Sequence, residues 1–410
     1  MRRLACAIIL LSVVFVWGCG GGSNTNTGPV TSGLTRRAFV SNQFTGALDI
    51  INATDDIVSA HRIGTDPGPT IMSLSPDKSI ILVATGTGSG SRIDAIGTAS
   101  EAVLGSLSLP DESISFFYQP DSKIVFVAVR NSGQVFRWDT STATNSVTSV
   151  SIPNARRMVR SPDGKHILVF PEDSTDTVWY IDTTASTLTP VRVGGAPGLF
   201  DRPVWAVFSS DSSKAWVLNC GPECGGASAG VQVLTFPGAV MGAAAGVPGG
   251  ATYALLSGNT LYVAGTAPAT PCAAPNTSLR CGALTKVDVS GALNPSYPPT
   301  AEISDGYHDH MLLAANNRLY IGAEFTCAAV APNGCLSIFN TSSSAVVIVP
   351  PCGSACNSLN DISGMTTITG RNVVYVVEGG ELRIYDSATD ALQSKQVDTV
   401  GRSWDVISPD

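Results

Sequence analysis

Histidine is rare in this chain, four among 410 residues, and two of them fall in Asp305-Gly306-Tyr307-His308-Asp309-His310, just ahead of the apolar Met311-Leu312-Leu313. On an extended strand, His308 and His310 project to one face and Asp309 to the other. Two imidazoles with one or two carboxylates can hold a divalent cation. The rival reading is a metal-free polar cluster. Both imidazoles ordinarily titrate near neutrality, so a ligand held by them is expected to bind with pH dependence between about 5.5 and 7.5. Arg156-Arg157 has the planar donors for a bidentate grip on a carboxylate or phosphate. Gly86-Thr87-Gly88-Ser89-Gly90 has the glycine content of a phosphate cradle, but no helix pattern follows it, so a plain loop is expected. There is no Gly-x-Ser-x-Gly elbow. Few histidines and no recognisable nucleophile favour binding over catalysis.

The elements that must position these residues announce themselves through a repeated turn. Ser161-Pro162-Asp163-Gly164-Lys165 leads into the apolar His166-Ile167-Leu168-Val169-Phe170. Proline presets φ, aspartate bonds the backbone ahead of it, and glycine takes the left-handed position of a tight turn. Ser75-Pro76-Asp77-Lys78, Gln119-Pro120-Asp121-Ser122-Lys123 and Ser210-Asp211-Ser212-Ser213-Lys214 precede similar runs, and Ser408-Pro409-Asp410 repeats the motif. Aligned on the strand after each turn, eight copies carry Phe39, Leu82, Phe126, Leu168, Trp216, Tyr262, Tyr320 and Tyr375 in register. Their spacing of roughly 42 to 58 residues suits one four-stranded propeller blade per copy. A second strand often ends in Asp, as in Val178-Trp179-Tyr180-Ile181-Asp182; a more polar third follows, and a fourth runs into the next turn.

This pattern resembles the YVTN-type β-propeller repeats of the lactonase-like superfamily over nearly all of residues 35–410. The resemblance implies an all-β chain forming a single propeller, with eight blades favoured and seven the alternative. Strand Ser403 to Ser408 is expected to pair with Arg37 to Asn42, completing one blade from both ends and removing free sheet edges. It also implies that the start of each innermost strand borders a central channel. That places Glu112, Arg156, Arg157, Asp201, Arg202, Trp205, Tyr307, His308, Asp309, His310, Asp361, Arg402 and Trp404 around one mouth. The pairs taken as equivalent there are Arg156-Arg157, Val204-Trp205, His308-Asp309 and Ser403-Trp404. Lactonase-like hydrolases of this architecture use divalent ions, which keeps His308 and His310 as metal candidates; no other cofactor is expected.

Beyond Cys6 and Cys19, eight cysteines form close pairs: Cys220/Cys224, Cys272/Cys281, Cys327/Cys335 and Cys352/Cys356. Local disulfides are the leading reading for an exported chain. No pair has a neighbouring histidine and no Cys-x-x-Cys occurs, which argues against zinc and covalent haem.

Met1-Arg2-Arg3 followed by apolar Leu4 to Val16 is a signal segment too short to span a membrane. Val16-Trp17-Gly18-Cys19 resembles the lipobox of bacterial lipoproteins. The expected organisation is a signal peptide at 1–18, a lipid-anchored tether at 19–34 and the propeller at 35–410. A formal net charge of −8 without a basic stripe argues against nucleic acid. Together these features predict a monomeric cell-envelope lipoprotein, attached to the membrane through its N-terminal lipid only. The outer membrane is expected if the cell has two. The propeller is expected to bind a ligand or protein partner at the channel mouth. A lactonase-like hydrolase and an assembly scaffold are the alternatives.

Overall fold

A computed structural model describes residues 30–141, 146–266, 281–295, 301–324, 334–349, 361–395 and 397–410. Eight antiparallel sheets follow one another along the chain. Their innermost strands, for blades one to eight, are Ser403–Ile407, Met72–Leu74, Ser115–Tyr118, Ala155–Arg160, Pro203–Phe208, Tyr253–Ser257, Tyr307–Ala314 and Ile362–Thr367. Each touches the next around a closed ring. In blades two to eight the chain then steps outward strand by strand. Blade six has its outermost strand in two pieces, and blade eight shows three strands plus isolated bridges among the described residues.

The repeated turn works as its residues dictate. Ser75, Ser161 and Ser209 each donate a hydroxyl to an aspartate two residues on, at 2.6 Å. Those aspartates accept the amides of Ser79, Lys165 and Ser213 at 3.1 Å. The left-handed position is held by Gly164 at φ 75° and by Lys78, Ser122 and Ser212 at 62°, 56° and 62°. Successive turns also touch: Asp77 N donates to Ser122 Oγ at 3.2 Å and Asp163 N to Ser212 Oγ at 3.1 Å.

The strand after each turn is buried on both faces, which is why it reads as an unbroken apolar run rather than an alternating one. Phe39, Leu48 and Ile50 pack against Ile81 and Val83 of blade two. Ala38, Val40 and Ile51 face Tyr375, Val377 and Ile384 of blade eight. Eight such clusters lie between successive blades, one per interface. Eight interfaces closing on themselves make an eight-bladed propeller and remove the seven-bladed alternative.

Blade one is shared by the two ends of the chain as expected. Strand Arg37–Asn42 pairs antiparallel with Ser403–Ile407, matching Phe39 with Ile407 and Val40 with Val406. A clasp reinforces the junction. Asp410 accepts the Arg37 amide at 2.8 Å, Arg37 Nε at 2.9 Å and Arg37 Nη2 at 3.0 Å.

Candidate functional site

The innermost strands begin irregularly, and that irregularity builds the channel mouth. In blades four, five, seven, eight and one a single extra residue interrupts the ladder between the innermost strand and its neighbour. His308 pairs with Ala323 and His310 with Gly322, leaving Asp309 as the bulged residue. A bulge breaks the two-residue alternation of a strand, so the residues on either side of it change faces. The equivalent pairs are therefore Arg156-Arg157, Val204-Trp205, Asp309-His310, Ser363-Gly364 and Trp404-Asp405. Two of the pairs expected from sequence, His308-Asp309 and Ser403-Trp404, are displaced by one residue.

The bulge also separates the two histidines, which do not share a face. His308 is fully buried against Gly282 of blade six and donates Nε2–H to the Ser304 carbonyl at 3.0 Å. Burial pulls its pKa down to about 4, so it is neutral. His310 instead lies beside Asp309, with Nδ1 at 2.6 Å from Oδ1. Burial pulls His310 down, but the Asp309 carboxylate outweighs it and holds the imidazole at about 9. Neither histidine titrates in the expected 5.5–7.5 window. Among the described residues no group of three histidine, cysteine or acidic side chains converges as a metal site.

Around Asp309 the described residues assemble a charged throat. Arg157 of blade four reaches toward it, with Nη2 at 3.5 Å from Oδ2, and lies 5.6 Å over the Tyr307 ring. Burial raises the Asp309 carboxyl, but His310 and Arg157 together bring it below its ordinary value. Glu324, paired in register with Tyr307, is raised to about 7 by burial and by Asp309. Asp405 is raised to about 6 by burial, although it accepts the Met72 and Val406 amides at 2.8 and 2.7 Å. Sequence reasoning missed both. Each stands alone in the chain, with no motif around it.

Beside the throat a cavity of about 610 Å³ opens between blades four and five, and Arg156, Arg157, Arg202, Val204, Cys224 and Tyr307 are among the residues lining it. Arg156 pairs with Glu172, which also meets Arg130 at 2.7 Å. Arg202 donates to the Asp173 carbonyl at 3.2 Å. Trp205 stacks on Tyr253 of blade six at 4.8 Å, and Arg402 covers Trp404 at 5.3 Å.

Other predicted residues have structural work or stand apart. Asp201 accepts both Ala227 and Ser228 amides, at 3.0 and 2.7 Å, pinning the segment after Cys224. Glu112 is exposed ahead of blade three. Asp361 precedes blade eight's innermost strand, where its carbonyl accepts the Gly379 amide at 2.9 Å. The Cys220–Cys224 disulfide is formed, with Cα atoms 5.7 Å apart. Cys281 and Cys335 are disulfide-bonded too. Their expected partners Cys272 and Cys327 lie outside the described residues, as do Cys352, Cys356 and Cys19. Within the disulfide loop Glu223 accepts the Thr266 amide at 2.7 Å, and burial raises its carboxyl to about 8.

No protein-family model matches this chain, and no curated protein matches it in sequence. Solved structures do match. The dihydro-heme d1 dehydrogenase NirN in complex with DHE aligns with a TM-score of 0.65 at 12% identity, covering 91% of this chain and 75% of that one. Apo AztD from Citrobacter koseri gives 0.54 at 11%, covering 91% and 97%. A protein provisionally named 6-phosphogluconolactonase from Bacteroides fragilis gives 0.52 at 14%, covering 93% and 99%. At these identities the likeness is one of fold alone.

Proposed function

We propose that this chain is an envelope-anchored propeller that binds a small ligand at the mouth of its channel, in the cavity between blades four and five. The observation that carries the reading is the cavity itself. About 610 Å³ is room for a small molecule, and apolar Phe170, Pro171, Pro203 and Val204 line it with arginines and Tyr307. Eight blades bury their inner strands alike, whereas the bulged pairs of blades one, four, five, seven and eight differ from one another. Packing alone gives no reason for that diversity. A ligand seen on the structurally similar NirN supports the same use of the fold. The lipid anchor on Cys19 belongs to this reading and rests on the lipobox-like sequence.

The one imidazole at the mouth is not a free general base, and the titratable carboxyl there, Glu324, has no nucleophile identified beside it among the described residues. Held at about 9 by Asp309, His310 is a cation at neutral pH and has no lone pair to act as a base.

The test is to fill the cavity. Val204→Trp puts a larger side chain at a partly buried position that lines the cavity and borders the cluster between blades five and six, so the variant's own thermal midpoint is measured alongside. Thermal-shift screening of small organic acids, sugars and amines against wild type and variant is expected to yield compounds that stabilise only the wild type. A screen whose hits act equally on both proteins would place the ligand elsewhere.

A further inference from the structure

Resting on that reading of the cavity, we infer that its ligand carries a single carboxylate on a largely apolar body, and that Arg157 is the residue that grips it. The charged groups lining the cavity are three arginines and three acids, and all but one of them are engaged. Glu172 holds Arg130 and Arg156. Asp173 accepts the Thr175 amide at 2.9 Å, the Thr175 hydroxyl at 2.6 Å and Asn154 at 3.3 Å. Asp176 accepts the Arg202 amide at 3.0 Å, with Arg202 Nε at 3.9 Å.

Arg157 is different. Its side chain is only 16% exposed, yet its one polar contact among the described residues is the 3.5 Å approach to Asp309. That carboxylate already has a nearer counter-ion in His310, at 2.6 Å. A guanidinium has five N–H donors, so four of Arg157's have no partner among the described residues. A half-buried cation in that state gains from any acceptor that presents two oxygens side by side, which is what a carboxylate does. The Tyr307 ring beneath the guanidinium holds the fork in place before a ligand arrives. The number of free cations also selects the ligand. Arg157 and His310 share the single carboxylate of Asp309, which leaves one positive charge to balance one negative charge on a ligand, whereas a phosphate dianion would bring surplus charge next to Glu172, Asp173 and Asp176. Phe170, Pro171, Pro203 and Val204 supply an apolar wall for the rest of the molecule.

Benzoate and its neutral isostere benzamide are suitable probes, titrated into the full-length protein in detergent and followed by ligand-observed NMR. Wild type is expected to bind benzoate at least about tenfold more tightly than benzamide. Arg157→Met should remove that preference, and Arg157→Lys, which keeps the charge but not the fork, should retain part of it. Equal binding of the two probes, unchanged by Arg157→Met but abolished by Val204→Trp, would overturn the carboxylate and leave the cavity as the site. Binding that survives Val204→Trp, or no binding of either probe, would overturn the cavity along with it.

Discussion

Asp309 lies between two cations, and around it several groups hold their protons more tightly in the folded protein than in the unfolded one. Glu324 is raised from 4.5 to about 7, Glu223 from 4.5 to about 8, Asp405 from 3.8 to about 6 and His310 from 6.5 to about 9. A raised folded value contributes stability that is complete below the unfolded pKa and lost as pH climbs through the folded one. All four therefore act in the same direction. The thermal midpoint is expected to fall from about pH 5 to pH 9, less steeply below 6.5, where His308, lowered to about 4 by burial, works the other way, with Glu324→Gln flattening the part between 4.5 and 7. Asp309 works the other way, and what it contributes disappears only when acid protonates it, below its ordinary 3.8. A midpoint that rises or stays level from pH 5 to 9 would show that these protons are not held as described. At this scale the sequence was a partial guide. Arg156, Arg157, Tyr307, Asp309 and His310 are conspicuous by type and clustering. Glu324 and Asp405 became part of the site only because blades distant in sequence meet at the channel.

Strands, turns and closure were legible because each depends on neighbours a few residues away. Ser-x-Asp turns and the apolar runs behind them are local chemistry, and their repetition gives the blade count. The bulges were not legible. Nothing about Asp309 or Trp404 distinguishes it from a normally paired strand residue. Reading His308-Asp309-His310 as a flat strand put both histidines on one face, and one unpaired residue was enough to undo it. The closing strand, in contrast, was placed almost to the residue, and the clasp between Arg37 and Asp410 makes it testable. Both side chains are largely shielded, at 13% and 22% exposure, and the pair is bidentate. Asp410→Ala leaves the Arg37 guanidinium with Glu101 and the Thr98 carbonyl and unties the Arg37 amide. It is expected to cost about 1–3 kcal/mol, read as a lower denaturant midpoint at unchanged slope. A variant as stable as wild type would mean that the strand pairing alone closes the ring.

At the scale of the whole molecule, the disc has two unlike faces, and the N-terminal segment leaves from one of them. Ser32 bonds the Glu101 carboxylate through its hydroxyl at 2.6 Å, and Arg37 reaches the same carboxylate at 2.9 Å. Glu101 sits in the turn after strand Arg92–Gly97, on the face that also carries the Ser-x-Asp turns. The bulged strand starts and the cavity lie at the opposite ends of the blades. Between Cys19 and the first described residue, Val30, there are ten residues, 20 to 29, and the eleven steps from Cys19 to Val30 span at most roughly 40 Å when fully extended. A six-residue strand alone is about 20 Å deep, and loops add to it on both faces. To turn the mouth toward a bilayer, that segment would have to run around the edge of the disc nearly taut. If the proposed anchor at Cys19 is present, the turn face is therefore expected to lie toward the membrane, with the cavity on the far side. Donor dyes at Ser186→Cys, on the turn face, and at Ser174→Cys, beside the cavity, can be compared by energy transfer to headgroup-labelled lipid around the reconstituted full-length protein. Transfer is expected to be more efficient from position 186. Equal or reversed efficiencies would sink the orientation. If instead Cys19→Ala leaves membrane association intact, or the wild-type N-terminal peptide carries no lipid mass, the anchor itself is wrong and the disc is free to present either face.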